Sequence, residues 1–228
     1  MKGVTAILLC GGKGERLKPF TEQFPKPLVP VHGKPLLLHL VNYLAAGGIS
    51  RFVFCVGYKA ELVQSFVRQS CAGLDHVCVD SGDVSMTDRL LDARAHAPGP
   101  TLVCYGDTLA NVNLAELRQV HDRNGGLATV TIYPMRSPFG LVEFDGGQRV
   151  TRFSEKPMLP YWINIGFLLC ARGAMDRLRR GVDMPEFLEG LRAENQLFVH
   201  PHRGTHVTIN TEKDRAVAET ELIEMLTL

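Results

Sequence analysis

Ala6-Ile7-Leu8-Leu9 runs straight into Cys10-Gly11-Gly12-Lys13-Gly14-Glu15-Arg16-Leu17, and Pro25-Lys26-Pro27 follows a few residues later. Glycines at positions 11, 12 and 14 let backbone N–H groups approach phosphate oxygens, because no Cβ blocks the way and positive φ costs little. Arg16 offers a planar fork and Lys26 a compact ammonium. A short apolar strand, a glycine turn and two fixed cations describe a cradle for a triphosphate. A dinucleotide turn would need Gly-x-Gly-x-x-Gly opening a helix at once, and a P-loop would need Gly-Lys-Ser/Thr. Gly11, Gly12 and Gly14 are spaced wrongly for the first, and Glu15-Arg16 after Gly14 excludes the second. From the glycines alone, a tight loop after a first strand stays an alternative.

Further residues of chemical interest stand where strands end. Asp107 follows the apolar run Thr101–Tyr105, Glu155-Lys156-Pro157 closes another run, and Asn164 lies in Trp162-Ile163-Asn164-Ile165-Gly166. Each also has a plain local use: Gly106-Asp107 as a turn or cap, Asn164 as a strand-end cap, and loop cations as solvated surface.

These residues need elements to hold them. The first half alternates apolar runs with helical patterns: strands near Val4–Leu9, Phe52–Val56, His76–Val79 and Leu102–Tyr105, and helices near Leu36–Ala46 and Ala60–Ser70, from Met86, and over Leu114–Asn124. Alternating βα units predict a mostly parallel sheet covered on both faces, with ligands at the carboxyl ends of its strands. After Gly126 strands follow one another at Ala128–Tyr133, Leu141–Phe144, Val150–Phe153 and Ile163–Leu169, and Asp145-Gly146-Gly147 predicts a hairpin turn. Helices over Pro185–Glu194 and Glu212–Leu226 then enclose two short strands, Leu197–His202 and His206–Ile209, expected to pair. No linker, repeat or low-complexity tract interrupts the chain. The expectation is one α/β domain over 1–228.

At 228 residues and 45% hydrophobic content, one domain can bury a substantial core. The formal charge of +1 gives no electrostatic reason to expect nucleic acid or an anionic membrane as partner. A first strand beginning within a few residues of Met1, and no run long enough to span a bilayer, lead to the expectation of a cytoplasmic protein. The six cysteines, without a Cys-x-x-Cys pair, read as reduced core residues. Self-association into a homo-oligomer is left open.

Leu-x-Gly-Gly-x-Gly-x-Arg-Leu, Pro-Lys-Pro-Leu and Gly33-Lys34-Pro35 together resemble the N-terminal signature of the sugar-1-phosphate nucleotidyltransferases. Within that family the chain is most similar to the glucose-1-phosphate cytidylyltransferases, through Gly57-Tyr58-Lys59, Asp80-Ser81-Gly82-Asp83-Val84-Ser85-Met86-Thr87, Tyr105-Gly106-Asp107 and Glu155-Lys156-Pro157. The resemblance implies a Rossmann-like three-layer α/β/α fold with a mixed, mostly parallel central sheet. It implies attack by a sugar-1-phosphate oxygen on the α-phosphorus of a nucleoside triphosphate, with Mg²⁺ as cofactor. It gives residues 1–125 mainly to nucleotide and 126–228 mainly to sugar phosphate, placing nucleotide at Leu9, Gly11, Gly12, Gly14, Arg16, Lys26, Gly82, Thr87 and Gly106, and sugar phosphate at Glu155, Lys156 and Asn164. Arg16, Lys26, Asp107 and Lys156 would be the catalytic set, with Asp107 on the metal.

Two departures qualify that likeness. Where the family places a second metal-binding Asp before the last helix, this chain reads Thr208-Ile209-Asn210-Thr211, so Asn210 would offer one carbonyl oxygen and no charge. Asp214 would compensate only if the chain bends it inward. At the base pocket, Asp88-Arg89 replaces two glycines of the cytidylyltransferase pattern, which bears on the base more than on the reaction; CTP stays favoured over GTP or another triphosphate, and a cyclitol phosphate is an alternative acceptor. A catalytically weakened nucleotide-sugar-binding regulator is the second functional reading. His200, His202 and His206 read as a partly exposed His-rich hairpin rather than a metal site, and Phe139, Phe144 and Phe153 as core.

Overall fold

The computed structural model describes residues 1–18 and 20–221. In chain order the elements begin β1 (Thr5–Leu9), α1 (Phe20–Gln23), β2 (Pro30–Val31), β3 (Lys34–Pro35), α2 (Leu36–Ala46), β4 (Arg51–Val56), α3 (Ala60–Ser70) and β5 (Asp75–Asp80). They continue with α4 (Met86–Ala93), β6 (Thr101–Tyr105), β7 (Thr108–Ala110), α5 (Leu114–Asn124) and β8 (Ala128–Arg136). The rest are β9 (Leu141–Phe144), β10 (Val150–Ser154), β11 (Met158–Cys170), α6 (Arg172–Met175), α7 (Met184–Ala193), β12 (Leu197–Pro201), β13 (His206–Thr208) and α8 (Glu212–Glu221). The helix expected over Glu212–Leu226 is therefore seen to Glu221, and its remainder lies outside the described residues.

A seven-stranded sheet in the order β12-β8-β11-β6-β1-β4-β5 forms the middle layer. β6, β1, β4 and β5 run parallel, and β12 runs parallel to β8; β11 is antiparallel to both β6 and β8. The β6–β11 pairing joins the two halves of the chain in one sheet. Strand alternation sorts the core into two layers. Ala6, Leu8, Phe52, Phe54 and Val56 pack with α2, α3 and α5 on one face. Ile7, Val53 and Cys55 pack with α4, α6 and α7 on the other. Both faces being covered explains why Phe52–Val56 reads as an unbroken apolar run rather than an alternating one. Helix starts are locally encoded: Ser85, Asn113 and Asp183 each accept a backbone N–H three residues on.

Three expectations need correction. The strands near Leu197–His202 and His206–Ile209 do not pair with each other; β12 adds to β8 at the sheet edge, and β13 pairs with β7. His200 and His202 are buried, at 2% and 6% exposure, so this is no exposed hairpin. His202 donates its backbone N–H to Ile132, and Tyr133 packs against the rings of both His202 and His206. Phe139, Phe144 and Phe153 are exposed, at 73%, 68% and 66%. β9 and β10 pair only with each other, so no layer covers their apolar side chains. All six cysteines are free, five buried and Cys78 partly so; burial raises the Cys55 thiol to about 12.

Candidate active site

The sheet has its switch point at β1, whose chain continues to β4 on one side and returns later to β6 on the other. Ligands of open α/β sheets bind beyond the carboxyl ends of strands at such a point. Leu9 and Tyr105, the last residues of β1 and β6, are in register, and Gly106 N–H donates to the Leu9 carbonyl at 3.1 Å. The glycine turn and Asp107 therefore leave the sheet side by side. Between them opens a cleft of about 370 Å³, lined by Leu9 to Lys13, Lys26, Met86, Arg89, Tyr105 to Asp107 and their neighbours.

Lys26 is carried by the short helical turn Lys26–Leu28, under Gly14. Gly14 has φ +63°, and a Cβ there would meet Thr21 at 2.9 Å and the Lys26 side chain at 3.1 Å, so the turn closes on Lys26 only with glycine. The Lys26 side chain is 11% exposed, and its Nζ donates to Asp107 Oδ2 at 2.6 Å and to Asn210 Oδ1 at 3.0 Å. Arg16 Nη2 donates to the same Asn210 oxygen at 2.9 Å. Ile209 N–H bonds to the Asp107 carbonyl, which fixes the β13–α8 segment against β6. Four residues far apart in sequence thus meet at one point.

Asp107 Oδ2 and Asn210 Oδ1 already converge on a cationic centre, so this pair of hard oxygens fits a hard divalent ion. Among the described residues no three His, Cys, Asp or Glu side chains gather as a metal group, so phosphate and water oxygens would complete any shell. Asp214 does not take part. Its Oδ2 accepts the backbone N–H groups of Asn210 at 2.9 Å and Thr211 at 2.8 Å.

Residues 5–186 match the nucleotidyl transferase family. The chain belongs to that family. This transferase is 32% identical over 235 residues to a probable glucose-1-phosphate cytidylyltransferase of Bacillus subtilis, with 92% of each chain covered. It is 32% identical over 191 residues to a mannose-1-phosphate guanylyltransferase of Mycobacterium tuberculosis, covering 78% of this chain and 52% of that one. The crystal structure of HddC from Yersinia pseudotuberculosis superposes with a TM-score of 0.75 at 19% identity, covering 96% and 99% of the two chains, and shows the shared α/β fold. No described helix is long and apolar enough to cross a membrane.

The other predicted residues fall into distinct places. Gly11, Gly12 and Gly106 line the cleft of the transferase. Gly82 precedes Asp83, whose carboxylate meets Lys13 Nζ at 2.6 Å across the cleft; this bond raises the Lys13 pKa and lowers that of Asp83. Thr87 is fully buried and bonds through its hydroxyl to the Val182 carbonyl, while Met86 beside it lines the cleft. Asn164 accepts the Gly166 N–H at 2.8 Å, and Tyr105 of the cleft wall has its pKa raised by burial, an effect that Asn164 opposes. The register of β11 shifts between Asn164 and Leu168, where Gly166 has φ +76° and a Cβ would lie 2.4 Å from the Tyr105 ring. Glu155 and Lys156 stand apart on the loop after β10, exposed and 3.9 Å from each other. Tyr105, Met86 and Val84 also line the cleft, although in the sequence they stand only within motifs and carry no assigned role; Arg89, which the sequence pattern places with Asp88 at the base pocket, lines it too.

Proposed function

We propose that the protein transfers a nucleotidyl group from a nucleoside triphosphate, CTP favoured, to a sugar-1-phosphate, giving a nucleoside-diphosphate sugar and pyrophosphate. The observation that carries this reading is the convergence of Arg16, Lys26, Asp107 and Asn210 beside the glycine turn. The nucleophile, a phosphate monoester, has its second pKa near about 6 and needs no general base at neutral pH. The protein's task is to bring two mutually repelling anions together and to stabilise charge on the transferring group.

Glycine-turn N–H groups and Arg16 hold the β- and γ-phosphates in this reading, and Lys26 neutralises the α-phosphate. Lys156, on its exposed loop, receives the sugar phosphate, with Glu155 and Asn164 accepting hydrogen bonds from sugar hydroxyls. Asp107 and Asn210 would hold Mg²⁺, which supplies charge neutralisation at the phosphates when bound. The preference for CTP is supported by the cytidylyltransferase likeness, which extends over 92% of both chains.

The test is a pyrophosphate-release assay with Mg²⁺, crossing CTP, GTP, UTP and ATP with several sugar-1-phosphates and a cyclitol phosphate. Release that requires both substrates, fastest with CTP, is the expected result. The reading of a weakened regulator rests on Asn210 standing where the family carries Asp; nucleotide-sugar binding without turnover for any pair would favour it.

A further inference from the structure

We infer that Arg89 reads the nucleobase, admitting bases with two adjacent hydrogen-bond acceptors on one edge and rejecting the others. Cytosine offers such a pair through O2 and N3, and guanine through O6 and N7. Uracil and thymine place an N–H between their carbonyls, and adenine sets an amino donor beside N1 and N7. The inference rests on the transfer reading above and names the determinant of its nucleotide.

Ser85 caps α4 by accepting the Asp88 N–H at 3.1 Å, which puts Asp88 and Arg89 in the first turn. The two charged side chains then part. Asp88 turns away from the cleft, accepting the Gly181 N–H at 2.9 Å with Arg180 3.9 Å off. Arg89 runs beneath the glycine turn, where the residue is 5% exposed. Its Nη1 donates to the Val56 carbonyl at 2.7 Å and its Nη2 to the Gly11 carbonyl at 3.3 Å. A Cβ at Gly11 would come within 2.1 Å of Nη1, and one at Gly57 within 2.3 Å, so two glycines clear the space for the guanidinium.

No ion pair holds Arg89 among the described residues, although Lys13, Lys26 and Arg180 around it all have carboxylate partners. A buried arginine without a carboxylate is rare and costly. Two carbonyls use two of its five N–H donors. The others belong to a side chain that lines the cleft beside Leu9, Val84, Met86 and Tyr105. A planar fork matched to two acceptors is the geometry by which arginine discriminates among bases. A purely structural arginine would serve equally well turned outward, as Arg180 is, without requiring glycine at both neighbouring positions.

The test is calorimetric titration of the intact protein with CTP, GTP, UTP, ATP and inorganic tripolyphosphate, the last a probe without a base. We expect CTP or GTP, titrated separately to tell cytosine from guanine, to bind about tenfold or more tighter than UTP and ATP, within the range of a bidentate base contact. Arg89→Lys, which keeps the charge and loses the fork, should bring the four nucleotides within about threefold of one another, each taken relative to the tripolyphosphate affinity of the same variant. Arg89→Gln serves in its place if that variant fails to fold. Equal binding of all four nucleotides to the unaltered protein would overturn the inference and spare the transfer reading, as would a selectivity that survives the substitution. Absence of binding by any nucleotide and by tripolyphosphate would sink both.

Discussion

Asn210 is the residue on which the chemistry turns, because one amide oxygen accepts from both Arg16 and Lys26. With an aspartate there, a second carboxylate would face the two cations beside Asp107. The neutral amide leaves the cluster with two cations against one anion, an arrangement that favours a polyanionic ligand. Asn210→Asp adds a charged oxygen to the candidate metal pair, so the Mg²⁺ concentration for half-maximal rate should fall while nucleotide preference stays the same. Asp107→Asn should nearly abolish turnover, since it removes that pair's only carboxylate and strands a mostly buried Lys26; breaking such a pair costs about 3–5 kcal/mol. An unchanged magnesium midpoint in Asn210→Asp would mean that position 210 does not approach the ion.

At the scale of elements, the start of α8 sets where Asn210 points. Thr211 Oγ1 accepts the Asp214 N–H at 3.2 Å, while the Asp214 carboxylate accepts the N–H groups of Asn210 and Thr211. This is a capping box, and it holds Asn210 by its backbone. Asp214→Ala should lower stability by about 1 kcal/mol, the usual cost of a lost cap, as read from denaturant midpoints. Turnover should fall several-fold as well, because the Asn210 oxygen loses its fixed position. Loss of stability with kcat intact would show that the box serves α8 alone. At the register change in β11, Asn164 is held instead by accepting the Gly166 N–H at 2.8 Å.

At the scale of the whole molecule, four histidines are held neutral by packing. Burial lowers the pKa of His39, His121 and His200, and takes that of His206 from 6.5 to about 4. Such groups protonate more readily in the unfolded chain, so their effect is absent above the unfolded pKa near 6.5 and grows as pH falls toward the folded value. The melting temperature should therefore drop between about pH 6.5 and pH 4, and His206→Gln should flatten that decline. A melting temperature constant over that range would contradict the burial assigned to these rings.

How much the sequence determined follows from the range of the interactions involved. The βα alternation, the helix caps at Ser85, Asn113 and Asp183 and the glycine turn after β1 are local features, carried by periodicity and by single residues, and they were legible at once. Arg16, Lys26 and Asp107 could be singled out because few residue types can hold a phosphate or a hard cation; that the fold gathers them around Asn210 could not be read from the pattern. Strand partnership was not: β12 and β13 are neighbours in sequence, yet each pairs with a strand far away, because edge hydrogen bonds go wherever an unpaired strand is available. Nor could the pattern tell that Phe144 and Phe153 would lie exposed, since an alternating apolar run is the same whether or not a layer packs on it. Only the tertiary structure decided that Asp88 and Arg89 part in opposite directions, and that a buried guanidinium lies under the glycine turn. Each depends on contacts between residues far apart in sequence, Asp88 with Gly181 and Arg89 with Gly11 and Val56, where a shift of one side chain exchanges a partner for a void.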